Sequence, residues 1–144
     1  MLKSINPILS PELLYLLRGM GHRHELAIVD ANFPCHRDGP STVRLDGISA
    51  PDVLDAILSV LPLEKEEPEV AWRMLVDGHP ANDLPIFSEF RQIIAKHEDS
   101  TLKLAALDPI EFKERTRQAF ALVVTGERRL YGCIIVKKGV IQPE

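Results

Sequence analysis

Within the seventeen residues from Met20 to His36 lie three of the chain's five histidines (His22, His24, His36), one of its two cysteines (Cys35) and two carboxylates (Glu25, Asp30). A histidine changes charge near neutral pH, and a carboxylate within reach can orient its ring and hold its proton. That is the minimum equipment for general acid and base catalysis. His22 follows Gly21 on a loop and is the candidate acid or base, with Asp30 as its partner or as a group that binds a hydroxyl. Each also has a plainer reading. A loop histidine is commonly solvated or capping, and an aspartate before Ala31-Asn32 commonly bonds the backbone two residues on. His24 reads as exposed, and His36, beside Arg37 and Asp38, reads as a surface group.

Other chemistries fit less well. Neither H-E-x-x-H nor a paired cysteine spacing occurs, so the cluster is not read as a metal site. Cys35 and His36 are adjacent, and adjacent side chains on an extended chain point apart, which argues against a cysteine nucleophile. No glycine-rich loop followed by lysine is present to cradle phosphate.

The candidate residues bracket one element. Leu26, Ala27, Ile28 and Val29 form an apolar run too short for a helix, so Glu25 to Asp30 reads as a buried strand with polar chemistry at both ends. Contact between His22 and Asp30 then requires the loop to fold back over that strand. Ser10-Pro11-Glu12, Ser49-Ala50-Pro51 and Asp108-Pro109-Ile110-Glu111 open helices with a cap and an early proline. A further helix is expected from Leu84 to His97, with Phe87, Phe90, Ile93 and Ile94 facing the core. Strands are expected near Thr42 to Leu45, Val70 to Val76 and Leu102 to Leu107. Phe120 to Thr125 and Tyr131 to Lys137 read as two closing strands with a tight connection. The acidic run Glu64 to Glu69 reads as a solvated loop without function. This alternation argues for an α/β fold, a layered sheet with helices on its faces, in one domain over residues 1–144.

Length and composition agree. The chain has 144 residues, 45% hydrophobic and 26% charged, enough to bury a core without disulfides or metal. A net charge of -4 with no basic stripe gives no reason to expect nucleic acid or an anionic membrane as partner. No apolar run approaches the length of a membrane span, and Met1-Leu2-Lys3-Ser4 does not begin a signal peptide, so a cytoplasmic location is expected. Cys35 and Cys133 are expected to be free thiols.

Pro11-Glu12-Leu13-Leu14, Met20-Gly21-His22, Asp30-Ala31-Asn32-Phe33-Pro34, Arg44-x-Asp46-Gly47, Phe112-x-Glu114-Arg115, Thr125-Gly126-Glu127, Tyr131-Gly132 and Lys138-Gly139-Val140 resemble the fucose mutarotase and ribose pyranase family, nearest its fucose branch. The resemblance implies a ribose-pyranase-like fold and a cofactor-free cytoplasmic isomerase that interconverts the anomers of a free monosaccharide. It also implies a ring-shaped homo-oligomer, typically decameric, with sites near subunit interfaces. By the same resemblance His22 is the proton donor, and Asp30 with the Tyr131-Gly132-Cys133 segment binds the sugar.

The chain departs from the family pattern at several positions. Cys133 stands where asparagine is usual, Pro109 where arginine is, Lys113 where tyrosine is, and His24 where aspartate is. Arg115, Arg117 or Lys113 are candidates to replace the arginine. The departures bear on the choice of sugar, and they keep two alternatives open: a sugar-binding protein without turnover, and a pyranose/furanose-interconverting ribose pyranase.

Overall fold

A computed structural model describes residues 1–35, 37–98 and 101–143. Four helices start where a proline with fixed φ and no N–H suits the first turn: α1 (Pro11–Gly19), α2 (Ala50–Leu58), α3 (Pro85–His97) and α4 (Pro109–Gln118). Side chains cap three of them. Ser10 accepts from the Leu13 amide, Ser49 from Asp52 and Asp108 from Ile110, each satisfying a donor that the helix leaves unpaired.

Six strands form one sheet in the order β2-β5-β1-β6-β3-β4. They are β1 (Glu25–Val29), β2 (Ser41–Leu45), β3 (Ala71–Met74), β4 (Leu104–Leu107), β5 (Ala121–Thr125) and β6 (Ile134–Lys137). The pairs β1 with β5, β2 with β5 and β3 with β4 are parallel, whereas β6 runs antiparallel to both β1 and β3. The expected closing pair is therefore not a pair. β5 and β6 flank β1 on opposite sides, because the connection between them crosses the end of β1, where the Ala31 amide donates to the Glu127 carbonyl at 2.9 Å.

The α/β expectation holds in layers. On one face α1, α2 and α3 pack Leu13, Leu17, Ile57, Phe87 and Phe90 against Leu26 and Ile28. On the other, Phe112 of α4 and Phe33 pack against Ala27 and Val29. Leu26, Ala27, Ile28 and Val29 are wholly buried, as a central strand covered on both faces requires. Burying a Leu or Ile side chain there contributes roughly 1.5–3 kcal/mol. The result is a rigid bar whose two ends lie at opposite edges of the sheet.

Candidate functional site

At the edge where β1 begins, the segment after α2 returns to the sheet. Leu63 bridges Lys138, the Glu64 amide donates to the Lys137 carbonyl at 3.0 Å, and the Gly139 amide donates to the Pro62 carbonyl at 2.8 Å. Gly139 has to be glycine for this approach, since a Cβ there would lie 2.2 Å from the Leu63 carbonyl oxygen. The docking turns Glu64 inward until its side chain is 2% exposed. Its Oε1 accepts the amides of Lys65 at 2.8 Å and Glu66 at 2.9 Å, and its Oε2 pairs with His22 Nε2.

The Glu66 amide foremost, then the His22 ring and the Lys65 amide, hold the Glu64 carboxyl down at about 2 against the opposing effect of burial. An ionised carboxylate only accepts, so His22 Nε2 must donate. The pair thus fixes the ring's orientation and tautomer and leaves Nδ1 as the nitrogen for proton exchange. Arg23, at φ 65°, lies 3.1 Å from Glu67, and its own amide donates to the Lys138 carbonyl at 2.8 Å.

At the opposite edge, where β1 ends, Asp30 is buried. Its Oδ1 accepts the Asn32 amide at 2.8 Å and its Oδ2 faces the Cys133 thiol at 3.1 Å. Glu127, also buried, shapes the neighbouring loop by accepting the Arg128 and Arg129 amides at 3.0 and 2.9 Å and the Arg129 guanidinium at 2.9 Å. That guanidinium, with desolvation opposing it, holds the Glu127 carboxyl at about 2. Tyr131 sits at φ 61°, a conformation that a bulky residue keeps only when its surroundings enforce it. Its hydroxyl donates to Asp77 Oδ1 at 3.4 Å, across the Asp77-Gly78 turn in which both residues have positive φ. Gly132 acts by its smallness, since a Cβ there would come within 2.5 Å of Glu127 Cγ.

The structure therefore gathers Asp30, Tyr131, Gly132 and Cys133 at one edge and sets His22 at the other. β1 alone separates the two edges by roughly 16 Å, at about 3.3 Å per residue. The loop before β1 does not fold back, because the Lys138 carbonyl holds Arg23 and Glu64 holds His22.

The solvated reading of the acidic run is wrong at Glu64, which is buried as the partner of His22. An available signal was Leu63, an apolar residue directly before the run, which is itself buried. Glu25 is engaged elsewhere, accepting both Arg115 Nε at 2.9 Å and NH2 at 2.7 Å while that guanidinium lies 3.6 Å from the Trp72 ring centroid. This commits Arg115 to Glu25, away from Asp30. Arg117 is exposed beside Glu114, and Lys113 is exposed on α4. His24 is exposed but ordered, stacked on Phe120 and accepting the Gly21 amide at 2.9 Å. His36 lies outside the described residues. Cys35 and Cys133 are both free thiols. Among the described residues no group of three His, Cys, Asp or Glu could hold a metal ion.

Residues 3–141 match the model of the RbsD / FucU transport protein family. The chain belongs to this family. It is 41% identical over 148 residues to a fucose mutarotase of Danio rerio, covering 99% of this chain and 96% of that protein. To a Homo sapiens fucose mutarotase it is 38% identical, covering 97% and 94%. Its fold superposes with a TM-score of 0.86 on the crystal structure of a Streptococcus pneumoniae fucose mutarotase in complex with L-fucose, at 38% identity, covering 98% of this chain and 100% of that one. The six-stranded mixed sheet with its four helices is thus the family's α/β fold.

Proposed function

We propose that the protein is a monosaccharide mutarotase, an isomerase that interconverts the α and β anomers of a free sugar such as L-fucose by opening and reclosing the ring. The His22–Glu64 pair carries this reading, because it supplies a histidine of fixed tautomer next to an ionised carboxylate. Ring opening needs a proton delivered to the ring oxygen while another leaves the anomeric hydroxyl, and reclosure on the other face reverses both transfers. Nδ1 of His22 exchanges one of these protons, and Glu64 stabilises the ring as it gains charge. Asp30 and the Tyr131 hydroxyl, both at the far edge, hold sugar hydroxyls. Positioned acid and base groups supply on the order of a hundredfold to ten-thousandfold, enough for a reaction that already runs in water.

Since β1 keeps His22 and Asp30 apart within one chain, the site is completed when the first edge of one copy meets the far edge of a second. Such a contact joins different surfaces, and repeated head to tail it closes into a ring. Leu130, 70% exposed and next to Tyr131, gives that edge apolar surface to bury. A decameric ring, a single mutarotase-like domain over residues 1–144 and a cytoplasmic location belong to the same reading through the family resemblance. The family arginine replaced by Pro109 favours a second reading, sugar binding without turnover.

Exchange NMR of the anomeric protons of L-fucose decides between the two. Wild-type protein is expected to accelerate exchange, and His22→Ala is expected to broaden the sugar lines without accelerating it. Binding without acceleration by wild-type protein would establish the second reading, and unchanged acceleration in His22→Ala would remove His22 from the mechanism.

A further inference from the structure

Cys133 stands where the family resemblance puts a sugar-contacting asparagine, yet its side chain is turned away from that task. It is fully buried, in an apolar cluster with Ala27, Val29, Phe112 and Ile135. Both hydrogen bonds of its sulfur go to Asp30: the Asp30 amide donates to Sγ at 3.3 Å, and the thiol donates to Oδ2 at 3.1 Å. Burial above all, with the nearby Asp30 carboxyl adding to it, pushes the thiol well above its ordinary range, so it stays protonated and keeps its donor. The opposite carboxyl oxygen is already fixed by the Asn32 amide. The thiol is therefore the second of two points that stop the carboxyl from turning.

We propose that Cys133 is a positioning residue that aims the Asp30 carboxyl at a sugar hydroxyl and does not itself touch the sugar. This corner of the site then accepts hydrogen bonds from the sugar through Asp30, and Cys133 offers no amide in return. The kinetic part of the test rests on the mutarotase reading; the spectroscopic part does not.

The first measurement is L-fucose anomer exchange by Cys133→Ala and Cys133→Ser. Loss of one hydrogen bond from a weak thiol donor is expected to raise KM in Cys133→Ala by about threefold to tenfold, with kcat within about twofold of wild type. Cys133→Ser, which keeps a donor at the same place, is expected to restore KM. In an Asp30→Ala background, Cys133→Ala is expected to add no further increase, because coupled residues are not additive. An equal further increase there would mean direct sugar contact, and a lowered Tm with unchanged KM would mean a purely structural role; either overturns the proposal. The second measurement is the S–H infrared stretch of Cys133 in a Cys35→Ser background. Donation to Asp30 lowers its frequency relative to the Asp30→Ala variant, and equal frequencies overturn the proposal even if no sugar exchanges.

Discussion

Two variants that are each impaired should regain activity on mixing if the site is shared between copies. His22→Ala removes the acid or base at one edge of the sheet, and Asp30→Ala removes the hydroxyl acceptor at the other. Loss of the first group costs on the order of a hundredfold to ten-thousandfold in exchange rate, so His22→Ala is expected at or below about 1% of wild type. When the two chains are combined in equal amounts by co-expression or joint refolding, each site draws its His22 from one copy and its Asp30 from another. Random assortment leaves both intact in about a quarter of sites, so the mixture should recover roughly 25% of wild-type exchange per site. A site built inside one chain would gain nothing, because no chain in the mixture carries both residues. Mixing His22→Ala with the double variant controls for stabilisation by assembly alone. Recovery no greater than the mean of the two pure variants would refute the two-copy site.

Glu64→Gln keeps the shape but loses the charge that stabilises the His22 ring, and Glu64→Ala loses both. A charge-assisted hydrogen bond contributes about 1.5–3 kcal/mol, so kcat for anomer exchange should fall roughly tenfold to a hundredfold with KM little changed, and an unchanged kcat would exclude Glu64 from the mechanism. Acid stability follows from the same carboxylates. Glu64 and Glu127 are held at about 2 in the fold against an ordinary 4.5, so their stabilisation is full above about pH 5 and is lost as pH falls toward 2. Thermal melts from pH 6 to 2 should show Tm falling through that window, less steeply in Glu64→Gln, and an equal slope in the variant would contradict the assignment.

Local signals were legible and distant pairings were not. Ser10, Ser49 and Asp108 announced their helices because a cap and an early proline act within one turn. β1 was legible because a continuous apolar run fits a strand covered on both faces. The placement of β1 between β5 and β6 was not, since strand adjacency depends on how crossovers pack rather than on neighbouring residues. Glu64 was misread for the same reason. Its burial depends on Leu63 meeting Lys138, and on Gly139 letting the two backbones touch, more than seventy residues further along the chain. Asp30 and Cys133, 103 positions apart, gave no sign in the sequence that they were bonded. His22 and Asp30 were legible as candidates from their residue types alone, but their separation follows from the rigidity of the strand between them.

That rigidity bears on how the proposed site works. A loop that swung His22 toward Asp30 would have to break the Arg23 amide bond to Lys138 and the His22 pair with Glu64, at once exposing a buried carboxylate without its partner. Leaving both edges fixed and bringing in a second copy avoids that cost. Each edge is held before any sugar arrives: Glu64 by two amides and His22, Asp30 by Asn32 and Cys133, Tyr131 by the loop that Glu127 braces. Groups already in place need no ordering when the ring opens. On this reading acceleration is a property of the assembled oligomer, and dissociated chains keep intact half-sites with neither enough to exchange a proton across a bound sugar.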